Sequence, residues 1–174
     1  MSRTLVEIKA RPVLTVAATI LLKEIAHGKD VFEFGSGGST LWFSKFVKSL
    51  ISVEDDKGFY EEVLAHLTEC KNVRLVFAET KVLPDVITNE GLFDVVFVDC
   101  MPQNERRRSV ILGAQHVKPG GWLVADDYNF PMTNKEVQIL RSNGWDVAIV
   151  SGIKMHPLKN VPVKTSTAFC NFDI

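Results

Sequence analysis

Hydrophobic positions along the chain fall into short continuous runs separated by longer segments of helical spacing. The apolar, β-branched and aromatic runs lie at 31–34, 50–54, 73–77, 93–99 and 122–126. Helical spacing is predicted near 40–48, 58–69, 81–88, 104–116 and 133–143. Val95, Val96, Phe97 and Val98 are apolar at consecutive positions, not alternate ones. That pattern belongs to strands of a parallel sheet covered on both faces. Strand-helix alternation then predicts a doubly wound α/β fold with right-handed crossovers.

Near the end the rhythm changes. Residues 145–150 and 165–172 read as a sixth and a seventh strand with no helical periodicity between them, so the sheet is expected to finish in an antiparallel pair. The intervening 151–163, with Gly152, Pro157 and Pro162, reads as a long connection opening over the carboxyl ends of the strands. Ligands of open α/β sheets bind at that rim. The residues converging there are 35–40, 54–56, 78–80, 99–104 and 126–131.

The first rim segment carries most of the chemistry. Gly35, Ser36, Gly37, Gly38 and Ser39 follow the first strand and precede the first helix of the sheet. Glycine there lets the backbone turn sharply and lets a ligand approach main-chain N–H groups. Ser39 or Thr40 is placed to cap the helix. Glu54 ends the next strand, where a carboxylate can accept both ribose hydroxyls, at roughly 1.5–3 kcal/mol for each charge-assisted bond. A dinucleotide site needs a third glycine where Thr40 stands. Glu33, two residues before the first glycine, favours a ligand with an ammonium and a sulfonium over a pyrophosphate. A nicotinamide-dependent oxidoreductase and a non-catalytic binding module are the competing readings.

These segments, quoted as FEFGSGGSTLWFS, LISVEDD, FDVVFVDC and VKPGGWLVADDYNF, resemble the first, second, fourth and fifth strand regions of class I S-adenosylmethionine-dependent methyltransferases. KTSTAFCNF is similar to that family's antiparallel last strand. The resemblance implies a Rossmann-like seven-stranded sheet of order 3-2-1-4-5-7-6. It implies that Glu33, Gly35, Ser36, Gly37, Gly38 and Ser39 hold the methionine part, with Glu54 and Asp55 at the ribose, Ala78 and Glu79 beside the adenine, and Asp99 at the end of the fourth strand. Ser39 departs from a consensus that often carries glycine. VADDYNF is similar to the metal segment of catechol-type and macrocin-type O-methyltransferases, the latter having Asp-Asp-Tyr. That likeness suggests Asp99, Asp126 and Asp127 as Mg²⁺ ligands, a hard-oxygen set suited to the ion. The catechol type has a catalytic lysine three residues after the fourth-strand aspartate; Pro102 stands there.

Asp99, Asp127 and His156 are therefore the candidate catalytic groups, His156 because its ordinary pKa suits a general base. Asp126 and Asp127 have a plainer reading as loop or helix-cap acceptors. Arg106, Arg107 and Arg108 open a helix whose N-terminal dipole disfavours cations. They hint at an anionic substrate group, or else at a solvated face with Glu105 as partner. His116 reads as structural.

Length and composition restrict partners. The chain has 174 residues, expected to form one domain, with 1–29 an N-terminal helical segment and 30–174 the sheet core. A net charge of -1 gives no footprint for nucleic acid. The run 13–22 is too short to span a bilayer and reads as a buried helix. Three widely spaced cysteines and the lack of a signal-peptide pattern point to a reducing cytoplasm. The expected partner is a small-molecule acceptor, and an open rim leaves room for a second copy of the chain to cover it.

Overall fold

The computed structural model describes residues 8–155 and 161–172. Its sheet has seven strands: β1 (Asp30–Phe34), β2 (Ser49–Glu54), β3 (Val73–Phe77), β4 (Phe93–Val98), β5 (Val117–Ala125), β6 (Asp146–Met155) and β7 (Pro162–Asn171). Their order is β3-β2-β1-β4-β5-β7-β6, as expected. The first five run parallel, and β7 lies antiparallel to both β5 and β6. The helices are α1 (Val16–Ala26), α2 (Gly38–Phe43), α3 (Lys57–His66), α4 (Gln103–Ala114) and α5 (Pro131–Ser142), with a 3-10 helix at Leu83–Asn89.

Consecutive apolar residues in the strands serve opposite faces, because side chains alternate across a sheet. Val96 and Val98 of β4 pack with Val110 of α4, Val137 of α5, and Leu83 and Ile87 of the 3-10 helix. Val95 and Phe97 face the other way, into Ala18, Leu22 and Ala26 of α1 and Phe43 of α2. Neither layer could be read as alternating hydrophobic and polar, since both faces are dry. Helix starts follow from local chemistry: Thr15 accepts the Ala18 N–H at 3.2 Å and Asp56 that of Phe59 at 3.0 Å.

Two sequence expectations need correcting. The helix expected near 81–88 is a 3-10 helix at Leu83–Asn89 and not an α-helix. Residues 151–155 and 162–163 of the supposed connection are sheet: the β6–β7 ladder runs from Asp146↔Asn171 out to Met155↔Pro162. Gly152 sits inside the ladder, where an added Cβ would meet Thr15 Cγ2 at 3.1 Å, so this glycine marks close packing on the N-cap of α1. Among the described residues, no helix is long and apolar enough to cross a membrane.

Candidate functional site

The parallel ladder continues by one backbone bond past each strand, and these bonds build the rim. Gly35 N–H reaches Val53 O, Ala78 N–H reaches Glu54 O, Asp99 N–H reaches Phe34 O, and Asp126 N–H reaches Val98 O, all within 2.9–3.1 Å. The glycine turn, Glu54, Ala78, Asp99 and Asp126 are thereby fixed on one edge by main-chain bonding.

Gly35 has φ +91°, and a Cβ there would sit 2.7 Å from Asp99 O. No other residue type allows β1 and β4 to diverge at this spacing. A Cβ on Gly38 would meet Lys9 O at 2.2 Å and Arg11 O at 2.5 Å, so the segment before α1 lies directly on the turn. Thr40 is not the helix cap. Its hydroxyl accepts the Gly37 N–H at 2.9 Å and donates to Glu33 Oε2 at 2.6 Å. The position that lacks a third glycine thus ties the turn to the buried acid.

Glu33 is fully buried. Oε2 accepts from Thr40 and from Ser52, each at 2.6 Å. Among the described residues Oε1 has no partner. Burial pushes the carboxyl up to about 7, against the nearby hydroxyls of Ser39, Ser52 and Thr40, which favour its charged form. A cation beside Oε1 would complete this site.

Glu54, 1% exposed, is turned onto its own chain. Oε2 accepts from Ser36 N–H and Ser36 Oγ, both at 2.9 Å, and Oε1 from the amides of Asp55 and Asp56 at 3.2 and 3.0 Å. A carboxylate offers about four acceptor directions, so a diol reaching Glu54 must replace the movable Ser36 hydroxyl. Asp55 lies alongside, taking a bond from Thr80 at 2.6 Å. Ala78 and Glu79 border the same edge, with Ala78 half-buried and Glu79 exposed.

The second half of the rim is an ionic cluster. Asp99, Asp126 and Asp127 each place an oxygen within 4.8 Å of the others, so the three predicted carboxylates do meet. Two protein cations meet them. Arg106, 2% exposed, donates to Asp99 Oδ1 at 3.0 Å, to Asp127 Oδ2 at 3.1 Å, and to the carbonyls of Cys100 and Asp126 at 2.7 and 3.0 Å. Lys154 of β6 donates to Asp126 Oδ2 at 2.7 Å and Asp127 Oδ1 at 3.1 Å. Thr167 donates to Asp126 Oδ1 at 2.8 Å and Thr165 to Asp127 Oδ1 at 3.1 Å. Asp127 adopts φ +52°, a left-handed conformation that aspartate tolerates better than most residues.

Charge in this cluster is divided unevenly. Burial, then the neighbouring Asp126 carboxylate, push Asp99 up to about 7 against the pull of Arg106 and Lys154. Burial also opposes ionisation of Asp127, but Lys154 and Arg106 outweigh it and hold that carboxyl below its ordinary value. The Lys154 ammonium is raised because Asp126, Asp127 and Asp99 together outweigh its burial.

Neither cation was read from the sequence as part of this site. Arg106 shares a helix face with Val110 and Gly113, a spacing that marks it as buried. Lys154 was hidden by the supposed connection. Arg107 and Arg108 engage Glu136 at 2.6 Å and Asp85 at 2.8 Å, so no arginine of the triplet points to an anionic substrate. Asp126 and Asp127 do not cap α5, which starts from Phe130 without a side-chain cap. Tyr128 hydrogen-bonds Gln138, and Asn129 accepts from Thr165. His116 binds the Gly91 carbonyl. His156 lies outside the described residues.

Residues 32–128, more than half of the chain, match the model of a family described as a methyltransferase domain. The chain belongs to this family. No curated protein sequence matches it. The methyltransferase domain is similar to solved structures across nearly its full length. A putative O-methyltransferase from Klebsiella pneumoniae superposes with a TM-score of 0.75 at 14% identity, covering 96% of this chain and 84% of that one. An O-methyltransferase from Bacillus cereus, solved in complex with SAH, gives 0.75 at 15% identity, covering 95% and 84%. A structure described as precorrin 8w decarboxylase from Methanobacterium thermoautotrophicum gives 0.68 at 18%, covering 96% of both. At these identities the likeness establishes the fold. The family resemblance read from the sequence is borne out by the match and by the strand order.

Proposed function

We propose that this methyltransferase domain takes its methyl group from S-adenosylmethionine and delivers it to an oxygen of a small-molecule acceptor. The observation that carries the reading is Glu33, buried beside the glycine turn with Oε1 unpartnered among the described residues. A donor bearing an ammonium and a sulfonium supplies the missing positive charge; a pyrophosphate would be repelled. Glu33, Gly35, Ser36, Gly37, Gly38 and Ser39 would hold the methionine part, Glu54 and Asp55 the ribose, and Ala78 and Glu79 the adenine edge.

When bound, that donor presents a methyl carbon whose bond to sulfur breaks as an acceptor oxygen attacks, leaving S-adenosylhomocysteine. The chain's part is alignment and deprotonation. Asp99 adjoins the glycine turn through Gly35 and has 28% of its side chain open, more than Asp126 or Asp127. It is the carboxyl we assign to receive the acceptor proton. Arg106 holds its Oδ1 and fixes its direction. Asp127 orients the surrounding loop through Thr165 and Lys154.

Mg²⁺, the other group suggested by the sequence, does not suit these side chains as they stand. Asp126 and Asp127 already carry donors on all four oxygens. No step is assigned to a metal.

Calorimetric titration with S-adenosylhomocysteine and, separately, NADH tests the donor. Binding of the former alone is expected; binding of NADH alone refutes the reading. A hydroxyl-acceptor screen following S-adenosylhomocysteine release tests the reaction, with Asp99→Asn expected to lower kcat while leaving S-adenosylhomocysteine affinity within a few-fold.

A further inference from the structure

Three carboxylates gathered within 4.8 Å at the ends of β4 and β5 are an oxygen set of the kind that holds a hard divalent cation. We infer that in this chain the Lys154 ammonium, together with the Arg106 guanidinium, permanently fills that role, so that the site is charge-complete without a metal.

The geometry supports this at each member. Lys154 bridges Asp126 Oδ2 and Asp127 Oδ1, one oxygen from each of two members of the cluster. Its side chain is only 11% exposed, and Asp126 beneath it is fully buried. The ammonium is not on a movable loop: Lys154 pairs with Val163 inside the β6–β7 ladder. Arg106 closes the opposite side, joining Asp127 Oδ2 to Asp99 Oδ1 from a position 2% exposed. Thr167 and Thr165 complete the remaining oxygen of Asp126 and the shared oxygen of Asp127.

Electrostatics point the same way. Three carboxylates against two cations leave one negative charge at most. A divalent ion would turn that into a buried positive excess a few ångströms from a guanidinium and an ammonium. Mg²⁺ also gives up its water reluctantly and demands near-octahedral oxygens. To bind, it would have to expel Lys154 from a pair of ion contacts. The resident ammonium therefore excludes the metal and supplies a fixed positive charge in its place. The bearing on turnover rests on the acceptor lying at this rim; the occupancy of the cluster does not.

Mn²⁺ titration followed by the electron paramagnetic resonance of free Mn²⁺ reads the site directly, with thermal unfolding in MnCl₂ and in EDTA beside it. The wild-type chain is expected to take up no Mn²⁺ at Asp127 and to unfold at the same temperature in both buffers. Lys154→Met should lose stability in EDTA and gain one Mn²⁺ per chain where wild type takes up none. Mn²⁺ should restore its unfolding temperature, and adding Asp127→Asn should abolish the gain. Wild-type uptake that Asp127→Asn removes would overturn the inference. So would a folded Lys154→Met chain that gains no Mn²⁺. If Lys154→Met folds in neither buffer, the wild-type titration decides alone, uptake at Asp127 refuting and no uptake supporting. None of these readouts depends on methyl transfer, so failure of the donor reading would appear separately.

Discussion

Replacing Glu33 with glutamine should push stability and cofactor affinity in opposite directions. In the folded chain the carboxyl titrates near 7 in place of its ordinary 4.5. At 1.36 kcal/mol per pH unit, that difference is worth roughly 3 kcal/mol. The sign follows from which state ionises first. Below pH 4.5 both folded and unfolded chains keep the proton and no penalty exists. Between 4.5 and 7 the unfolded carboxyl ionises while the folded one does not, so stability falls as pH rises. Above 7 the loss is complete and constant. A glutamine side chain cannot ionise, so in Glu33→Gln this decline should vanish. The new amide also places donors where Oε1 has no partner, at a cost of about 1–3 kcal/mol that does not vary with pH. The diagnostic is thus the change in the gap between the two proteins, roughly 3 kcal/mol in favour of the variant from about pH 4 to about pH 8. Urea unfolding at several pH values, followed by fluorescence of Trp42, Trp122 and Trp145, measures it. S-adenosylhomocysteine affinity at about pH 8 should meanwhile fall about 10- to 100-fold, the loss of one charge-assisted contact. Parallel stability curves for wild type and variant would refute the account of Glu33, as would unchanged affinity.

Three further outcomes are expected. Arg106→Met leaves Asp99 and Asp127 without their buried partner and should cost about 3–5 kcal/mol in urea unfolding at neutral pH; a loss below about 1 kcal/mol would show that the cluster tolerates its own charge. Gly38→Ala forces a Cβ into the carbonyls of Lys9 and Arg11, and should speed tryptic cleavage after Lys9 and weaken S-adenosylhomocysteine binding together. Ser49, Lys48 and Lys118 hold Asp30 down at about 2, so its stabilisation is full above its ordinary 3.8 and disappears as pH falls through 2. Because Lys48 is 68% exposed, Asp30→Asn should cost no more than about 1 kcal/mol at neutral pH in urea unfolding, and nothing once the pH is below 2.

The parallel half of the fold was legible because its strands are dry on both faces and its turns carry glycine. Val95 to Val98 announce a covered strand, and Gly35 to Gly38 announce the sharp turn at the rim. The antiparallel half was harder to read. Residues 146–155 alternate partly buried and exposed positions, but Gly152 and Pro162 mimic a loop and mask the period-2 signal. That masking removed Lys154 from view. Arg106 escaped notice for a different reason. Its position near a helix start suggests an electrostatic cost, whereas its partners Asp99 and Asp127 follow other strands and only the folded chain brings them to it. Local rules carry no information about such long-range pairing.

The strand order has a consequence for how the molecule is made. β7, the last strand in chain order, is interior, wedged between β5 and β6. During vectorial synthesis β5 emerges before β7 and lacks its native partner on that side until residues 162–171 leave the ribosome. Up to then its edge is open to mispairing with other chains. Thr165 and Thr167, which seat Asp127 and Asp126, arrive with the same strand. The acidic centre is therefore assembled last, and a chain stalled before Thr165 would hold a formed glycine turn beside an unfinished carboxylate cluster.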